Sequence, residues 1–287
     1  NQSAIVSNKG LTNLTNKGTN FIIDGAVENQ NGQLDMTNVN GTFDINGSVS
    51  NSGVSNITNN GDNGLNVNGS ITNTNGKLTM LNTGDKGLNI SKTGKINAQG
   101  LKLENQGANG LNINGNVTNT GNADILNQNG AMNISGTVDN TGDAIFNNNG
   151  TNLIVDGTIT NKQATLKMIN KKGAFNIKKE VSNNGTTTDI TNEGADGLNI
   201  TGTVSSNGDL TMTNTGDKGI LVDSSARVNG NNNISISNNA VGGTNIKGLV
   251  NAGKDVNISN SNSNVVIGDK TQNNNYVTAA NDINILI

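Results

Sequence analysis

An apolar pair recurs along this chain at intervals of 21 to 24 residues, and this period constrains the fold more than any other feature. In each repeat a large apolar residue and a β-branched residue stand two positions apart, which is the spacing of side chains on one face of a strand. The β-branched members are Ile23, Ile45, Val67, Ile90, Ile113, Ile134, Val155, Ile177, Ile200, Val222, Ile246 and Ile267. The large members are Phe21, Phe43, Leu65, Leu88, Leu111, Met132, Leu153, Phe175, Leu198 and Ile220. A fixed period of this length predicts stacked structural units.

Two further apolar columns in each repeat predict two more short strands. The second-strand column is Val27, Val49, Ile71, Val117, Val138, Ile159, Val181, Val204 and Val250. The third-strand column is Met36, Ile57, Met80, Leu103, Ile125, Ile145, Met168, Ile190, Met212, Ile236 and Ile258. A glycine usually precedes the second strand, where we expect it to supply the backbone freedom of a corner. These corner glycines are Gly25, Gly47, Gly69, Gly115, Gly136, Gly157 and Gly202.

Asparagine follows the third-strand column by two residues in every repeat. The series is Asn38, Asn59, Asn82, Asn105, Asn127, Asn147, Asn170, Asn192, Asn214, Asn238 and Asn260. In stacked parallel strands identical amides can bond to one another, so this column predicts a ladder of Asn side chains. A looser series follows the second strand at Asn29, Asn51, Asn73, Asn119, Asn140, Asn161 and Asn183. By contrast, we expect Asn112, between core-facing Leu111 and Ile113, to face outward and tolerate substitution as surface residues do.

These columns predict an all-β fold: a right-handed parallel β-helix of about 12 rungs, each holding three short strands. We predict a single domain over 1–287, with a partial first rung at 1–20, regular rungs at 21–264 and a less regular last rung at 265–287. A leucine-rich repeat shares the ladder and a similar period, but its Leu spacing differs. Disorder is the other alternative, and the fixed apolar period argues against it.

The residue inventory limits the chemistry that the chain can perform. It contains no His or Cys and a single arginine, Arg227, so the usual nucleophile–base constellations are absent and we predict no enzyme. The least favoured alternative is a β-helix that degrades polysaccharide with Asp clusters. The net charge of −3 and the pI near 4.9 argue against nucleic acid as a partner. Turn chemistry accounts for the Asp–Gly turns, so we predict no metal and no cofactor.

Two corners are longer than the others by two residues. They read SKTGK at 91–95 and DSSAR at 223–227, and they carry the basic residues Lys92, Lys95 and Arg227. They are interpreted either as tolerated surface loops or as contacts for a receptor or glycan. No segment approaches the roughly 18 consecutive apolar residues of a membrane span, so insertion into a membrane is not predicted.

The repeat resembles the passengers of large bacterial haemagglutinin-like exoproteins, the filamentous haemagglutinin and high-molecular-weight adhesin group. The resemblance is carried by LNINGNVTNTGNADILNQNG at 111–130, by LNITGTVSSNGDLTMTNTGDKG at 198–219, and by the phrases AGKDVNI and AANDINI near the end. It covers nearly the whole chain, but the motif specifies the coil rather than one activity.

The resemblance implies two-partner secretion through an outer-membrane transporter and display outside the outer membrane of a Gram-negative bacterium. On this basis we expect a segment of a longer exoprotein, working as a secreted or surface-exposed adhesin rod. It would bind a receptor or glycan on host cells, other bacteria or matrix. The alternative function is a self-associating fibre or biofilm-matrix subunit that stacks end to end.

Overall fold

The computed structural model describes residues 5–268 and 276–287, and these residues form strands, turns and bends with no helix. The chain divides into two compact units, unit 1 (Asn1–Gly142) and unit 2 (Asp143–Ile287). Each unit is a parallel β-solenoid in which every strand pairs with its equivalent in the neighbouring rung. The predicted all-β parallel solenoid is therefore confirmed. Its right-handed sense and its extent as a single domain over 1–287 remain predictions.

Unit 1 contains six rungs, counted by the strands that open each rung. Its strands are β1 (Ile5–Asn8), β2 (Thr12–Asn16), β3 (Asn20–Ile23), β4 (Ala26–Asn29), β5 (Leu34–Asn38), β6 (Thr42–Ile45), β7 (Ser48–Asn51), β8 (Ser55–Asn59), β9 (Leu65–Val67), β10 (Ser70–Asn82), β11 (Leu88–Ile90), β12 (Lys95–Asn105), β13 (Leu111–Ile113), β14 (Asn116–Asn119), β15 (Ala123–Asn127), β16 (Met132–Ile134) and β17 (Thr137–Asn140). The opening strands β3, β6, β9, β11, β13 and β16 form one parallel sheet. The second and third strands merge in β10 and β12, which run through their corner without interruption.

Unit 2 repeats the same plan with six opening strands. Its strands are β18 (Ala144–Asn148), β19 (Leu153–Val155), β20 (Thr158–Asn161), β21 (Thr165–Asn170), β22 (Phe175–Ile177), β23 (Glu180–Asn183), β24 (Thr187–Asn192), β25 (Leu198–Ile200), β26 (Thr203–Ser206), β27 (Asp209–Asn214), β28 (Ile220–Val222), β29 (Arg227–Gly230), β30 (Ile234–Asn238), β31 (Thr244–Ile246), β32 (Leu249–Ala252), β33 (Val256–Asn260), β34 (Val265–Ile267), β35 (Val277–Ala279) and β36 (Ile283–Leu286). The opening strands are β19, β22, β25, β28, β31 and β34.

The strand register places the predicted apolar columns in the core, except that Phe21 in the first opening strand is half-buried and Ile267 in the last is 39% exposed. In unit 1, for example, Ile45 pairs with Ile23 and Val67, and the first and second strands bury one face each. Phe21 and Phe43 stack with ring centroids 4.6 Å apart, so identical positions in adjacent rungs contact directly. Stacking of like side chains fills the interior without a thick globular core, because each residue packs against its own equivalents above and below.

The third-strand column departs from the prediction in the first rung of unit 2. Phe146, rather than Ile145, pairs with Met168 and is fully buried, while Ile145 is 41% exposed. The local sequence AIFNNN offers an apolar residue two positions before an Asn in either alignment. The structure takes the alignment that buries the larger aromatic side chain, since burial of a Phe contributes more than burial of an Ile.

The corner glycines are required for a different reason from the one expected. Gly47, Gly69, Gly115 and Gly136 do not adopt a left-handed φ. A Cβ atom on any of them would instead overlap the backbone carbonyl oxygen of the rung before. Left-handed glycines do occur at another place, the turn that precedes the opening strand, as at Gly64 (φ 89°) and Gly87 (φ 86°).

Ala164 provides a stability test, because it is the non-glycine residue with positive φ (61°) within the described ranges. A Cβ in the left-handed region costs about 1–2 kcal/mol, part of which is offset because glycine loses more chain entropy on folding. We therefore expect Ala164→Gly to stabilise unit 2 by about 0.5–1 kcal/mol. An increase in the midpoint of denaturant unfolding would show it. A decrease would mean that the Ala164 methyl group makes packing contacts worth more than the backbone strain.

Candidate functional site

A buried column of Asn side chains runs through unit 1 at the end of each third strand. Asn38 donates to Asn59 (2.8 Å), Asn59 to Asn82 (2.9 Å), and Asn82 to Asn105 (3.0 Å). The column continues as Asn105 donates to Asn127 (2.9 Å). It also begins one rung earlier than the sequence pattern indicated, because Asn16 donates to Asn38 (2.7 Å). We call this column the inner ladder.

Each inner-ladder amide also donates a hydrogen bond within its own rung, and this second contact explains the preference for Asn. The remaining N–H of Asn59 donates to the carbonyl of Gly61 (2.8 Å), and that of Asn82 to the carbonyl of Gly84 (2.7 Å). One side chain therefore accepts from the rung before, donates to the rung after and closes its own turn. Asp and Ser lack this combination of two donors and an acceptor.

The inner ladder of unit 2 corrects one predicted residue. Asn148, not Asn147, lies in the column, and it donates to Asn170 (2.7 Å). Asn147 is half-buried on the outward side of β18, as follows from the register that buries Phe146. The later members are connected as predicted, through Asn170–Asn192 (2.9 Å), Asn192–Asn214 (2.8 Å), Asn214–Asn238 (2.9 Å) and Asn238–Asn260 (2.9 Å).

The second Asn series is also buried, but hydroxyl groups interrupt it. Asn29 donates directly to Asn51 (2.9 Å), and Asn119 donates to Asn140 (2.7 Å). Between Asn51 and Asn73 the hydroxyl of Ser55 intervenes, accepting from Asn51 (2.9 Å) and donating to Asn73 (2.7 Å). Small polar residues at the start of a third strand therefore substitute for a direct amide contact.

A third column, the outer ladder, was not predicted from the sequence. In the opening strands of unit 1, Asn66 donates to Asp44 (2.8 Å), Asn89 to Asn66 (3.0 Å), Asn112 to Asn89 (2.9 Å) and Asn133 to Asn112 (2.9 Å). The expectation that Asn112 is an ordinary surface residue is wrong, because it is half-buried and bonded on both sides. Donation runs toward the amino-terminal rung, where the carboxylate of Asp44 needs only to accept. The Asn at the centre of each LNI or LNV triplet is the sequence signal for this ladder.

The basic residues of the two long corners lie in different units. Lys92 and Lys95 are exposed in unit 1, and Arg227 is exposed in unit 2. Each corner is closed by a turn, through Gly94 N–H to Ser91 C=O (2.9 Å) and Ala226 N–H to Asp223 C=O (2.9 Å). Lys95, but not Lys92, lines an open groove of about 540 Å³ along the corners of unit 1, and we call it the corner groove.

Ion pairs are arranged within or between neighbouring rungs. Lys102 contacts Glu104 (2.8 Å) on the same strand, and this hydrogen bond raises the pKa of Lys102 and lowers the pKa of Glu104. In unit 2, Lys171 contacts Glu193 in the next rung (2.6 Å), and Lys218 contacts Asp196 in the rung before (2.8 Å). The contact with Asp196 raises the pKa of Lys218. These partners are partly or fully exposed, so each pair adds little to the stability of the chain.

Within the described ranges, no three His, Cys, Asp or Glu side chains are grouped so that they could hold a metal ion. The same ranges contain no helix that is long and apolar enough to cross a membrane. The fold and its ladders define a parallel β-solenoid repeat protein. Comparison of the chain with protein families, curated proteins and solved structures gives no match.

Proposed function

We propose that the chain is a β-solenoid segment of a surface-displayed or secreted bacterial adhesin. The observation that carries this proposal is the difference between buried and exposed side-chain positions in the rungs. The amide and aliphatic columns that hold the rungs together are buried, while outward positions such as those of half-buried Ser70 and exposed Lys95 and Asn116 differ from rung to rung. Side chains on the outside can therefore change without loss of the coil, which suits a scaffold that presents contacts to other surfaces.

The resemblance to haemagglutinin-like exoproteins supports the same proposal. The proposal includes export by a partner transporter and display outside the outer membrane of a Gram-negative bacterium. The proposed partners are host cells, other bacteria or matrix, which would be contacted through a receptor or glycan. Catalysis forms no part of the proposal.

Adhesion can be tested with beads that carry the folded chain through a single terminal tag. We expect saturable attachment to at least one surface among epithelial cells, bacterial cells and matrix-coated wells. Soluble chain should compete, and prior unfolding of the bead-bound chain should abolish attachment. Attachment no better than that of uncoated beads on every surface would contradict the proposal.

A further inference from the structure

The bottom of the corner groove in unit 1 is formed by glycine backbone without side chains. The corner glycines Gly25, Gly47 and Gly69 line it in three successive rungs. Because a Cβ on Gly47 or Gly69 would overlap the backbone of the rung before, these positions must stay bare for the rungs to stack. Tight stacking thus produces a continuous channel along the corners as a consequence of the fold. Whatever lines its sides determines what can bind.

One side of the corner groove carries Asp24 and Asn46, which belong to a short polar column. Asn46 donates to the carboxylate of Asp24 (2.7 Å), and Asn68 donates to Asn46 (2.8 Å). These bonds hold the amides in fixed positions at intervals of one rung, about 4.8 Å. Asp24 keeps acceptor capacity beyond the one bond from Asn46, since a carboxylate has about four acceptor positions.

The other side consists of equivalent residues at the start of each second strand. Ser48, Ser70 and Lys95 are Cα partners in successive rungs, and all three line the groove. Their hydroxyl and ammonium groups form no hydrogen bond or ion pair with any other residue in the described ranges. The longer corner at 91–95 adds Thr93 beside Lys95 and bounds the groove. Polar groups in a fixed row with unused bonding capacity indicate a polar ligand.

The shape of the site distinguishes between classes of polymer. A bound peptide would need either an unpaired strand edge or apolar pockets for its side chains. Between Ala26 and Lys95 the groove offers neither, because β4, β7, β10 and β12 pair on both sides and the lining is Gly, Ser, Asn, Asp, Thr and Lys apart from Ile5 and Ala26 at one end. A chain of sugar rings presents hydroxyl groups at regular intervals that serine, amide and carboxylate groups can bind. Lys95, about 14 Å or three rungs from Asp24, adds a site for an anionic group.

We propose that the corner groove binds a linear polysaccharide that carries carboxylate groups. Its hydroxyl groups bond to Asp24, Ser48 and Ser70, and a carboxylate pairs with Lys95. This inference rests on the proposed adhesive function and specifies the chemistry of the ligand. It also separates the two basic residues of one corner, because Lys95 lines the groove and Lys92 does not.

Biolayer interferometry with the full chain tests the proposal. The immobilised polymers are hyaluronan, polygalacturonate and alginate, and neutral dextran is the reference. We expect binding to at least one of the three uronate polymers and much weaker binding to dextran. Lys95→Gln should weaken uronate binding by about tenfold, the loss expected for one charge-assisted contact. Ser48→Tyr, which fills the groove from an outward position, should abolish it.

Two matched variants control for charge and for bulk. Lys92→Gln removes a positive charge from the same corner, and Thr137→Tyr adds a ring at the equivalent second-strand position two rungs after Lys95. Both should bind as the unmodified chain does. Equal binding by all five proteins would overturn the proposal, as would binding to none of the three uronate polymers. If beads still attach to cells in that case, the adhesive function stands and the groove is not its site.

Discussion

Gly69→Ala is expected to destabilise unit 1 by about 3 kcal/mol or more, at the upper end of the range for overpacking. The new methyl group would overlap the carbonyl oxygen of Gly47, and that carbonyl is part of the rung before. It also accepts a hydrogen bond from the Ser70 N–H (2.9 Å), so it cannot move away without breaking a contact between rungs. Relief would require the two rungs to separate locally, which exposes the aliphatic columns on both sides.

Gly100→Ala is the matched control, because it makes the same chemical change in the same unit. Gly100 lies in β12, has no left-handed φ, and the nearest atom to an added Cβ is 3.8 Å away. Removing a glycine there should be neutral or stabilise the chain by up to about 1 kcal/mol through the entropy of the unfolded state. Chemical denaturation followed by circular dichroism compares the two variants through their midpoints. Similar midpoints would show that the corners are not as tightly stacked as the structure indicates.

The apolar columns could be predicted from the sequence because they depend on spacing within one rung. A period of two along a strand reports which side chains share a face, and the repeat length reports which strands are equivalent. The prediction was wrong at Ile145, where two alignments of the strand fit the same spacing equally well. Ile145 and Phe146 are adjacent apolar residues, each followed by an Asn at two positions, and only packing volume distinguishes them.

The features that escaped prediction depend on contacts between rungs. The repeated Asn of the LNI and LNV triplets marks the column that contains Asn112, but the triplet does not show whether these side chains face solvent or bond to one another, and that difference lies in the hydrogen bonds to Asn89 and Asn133. Likewise, a corner glycine is compatible with either backbone freedom or close stacking. Only the distance between successive rungs decides between them. The corner groove results from the close stacking of the rungs, and the sequence alone did not indicate it.

Asn82→Asp is expected to have the other large effect, a loss of about 3 kcal/mol or more in the stability of unit 1. Asn82 is fully buried, accepts from Asn59, and donates to both Asn105 and the Gly84 carbonyl. Aspartate keeps the acceptor but replaces two donors with an oxygen that faces two other oxygens. A buried donor or acceptor left without a partner costs about 1–3 kcal/mol, and a buried charge costs more.

Asn97→Asp and Asn112→Asp complete a graded series in which each variant adds the same charge. Asn97 is exposed on β12 and should change stability by less than about 0.5 kcal/mol. Asn112 is half-buried and would lose one donated bond, to Asn89, so a loss of about 1 kcal/mol is expected. Since net charge is equal in all three, a difference among their denaturation midpoints must come from local hydrogen bonding.

The pH dependence of the Asn82→Asp variant separates a broken ladder from a general packing defect. Burial raises the pKa of a carboxyl group above its unfolded value, so the penalty of the charged form applies fully above the raised pKa. As the pH falls below it, the carboxyl group takes up a proton and regains one donor toward Asn105 or Gly84. The midpoint difference between Asn82→Asp and the unmodified chain should therefore narrow at low pH. A difference that stays constant with pH would mean that the lost stability does not arise from the donors and the charge of this one side chain.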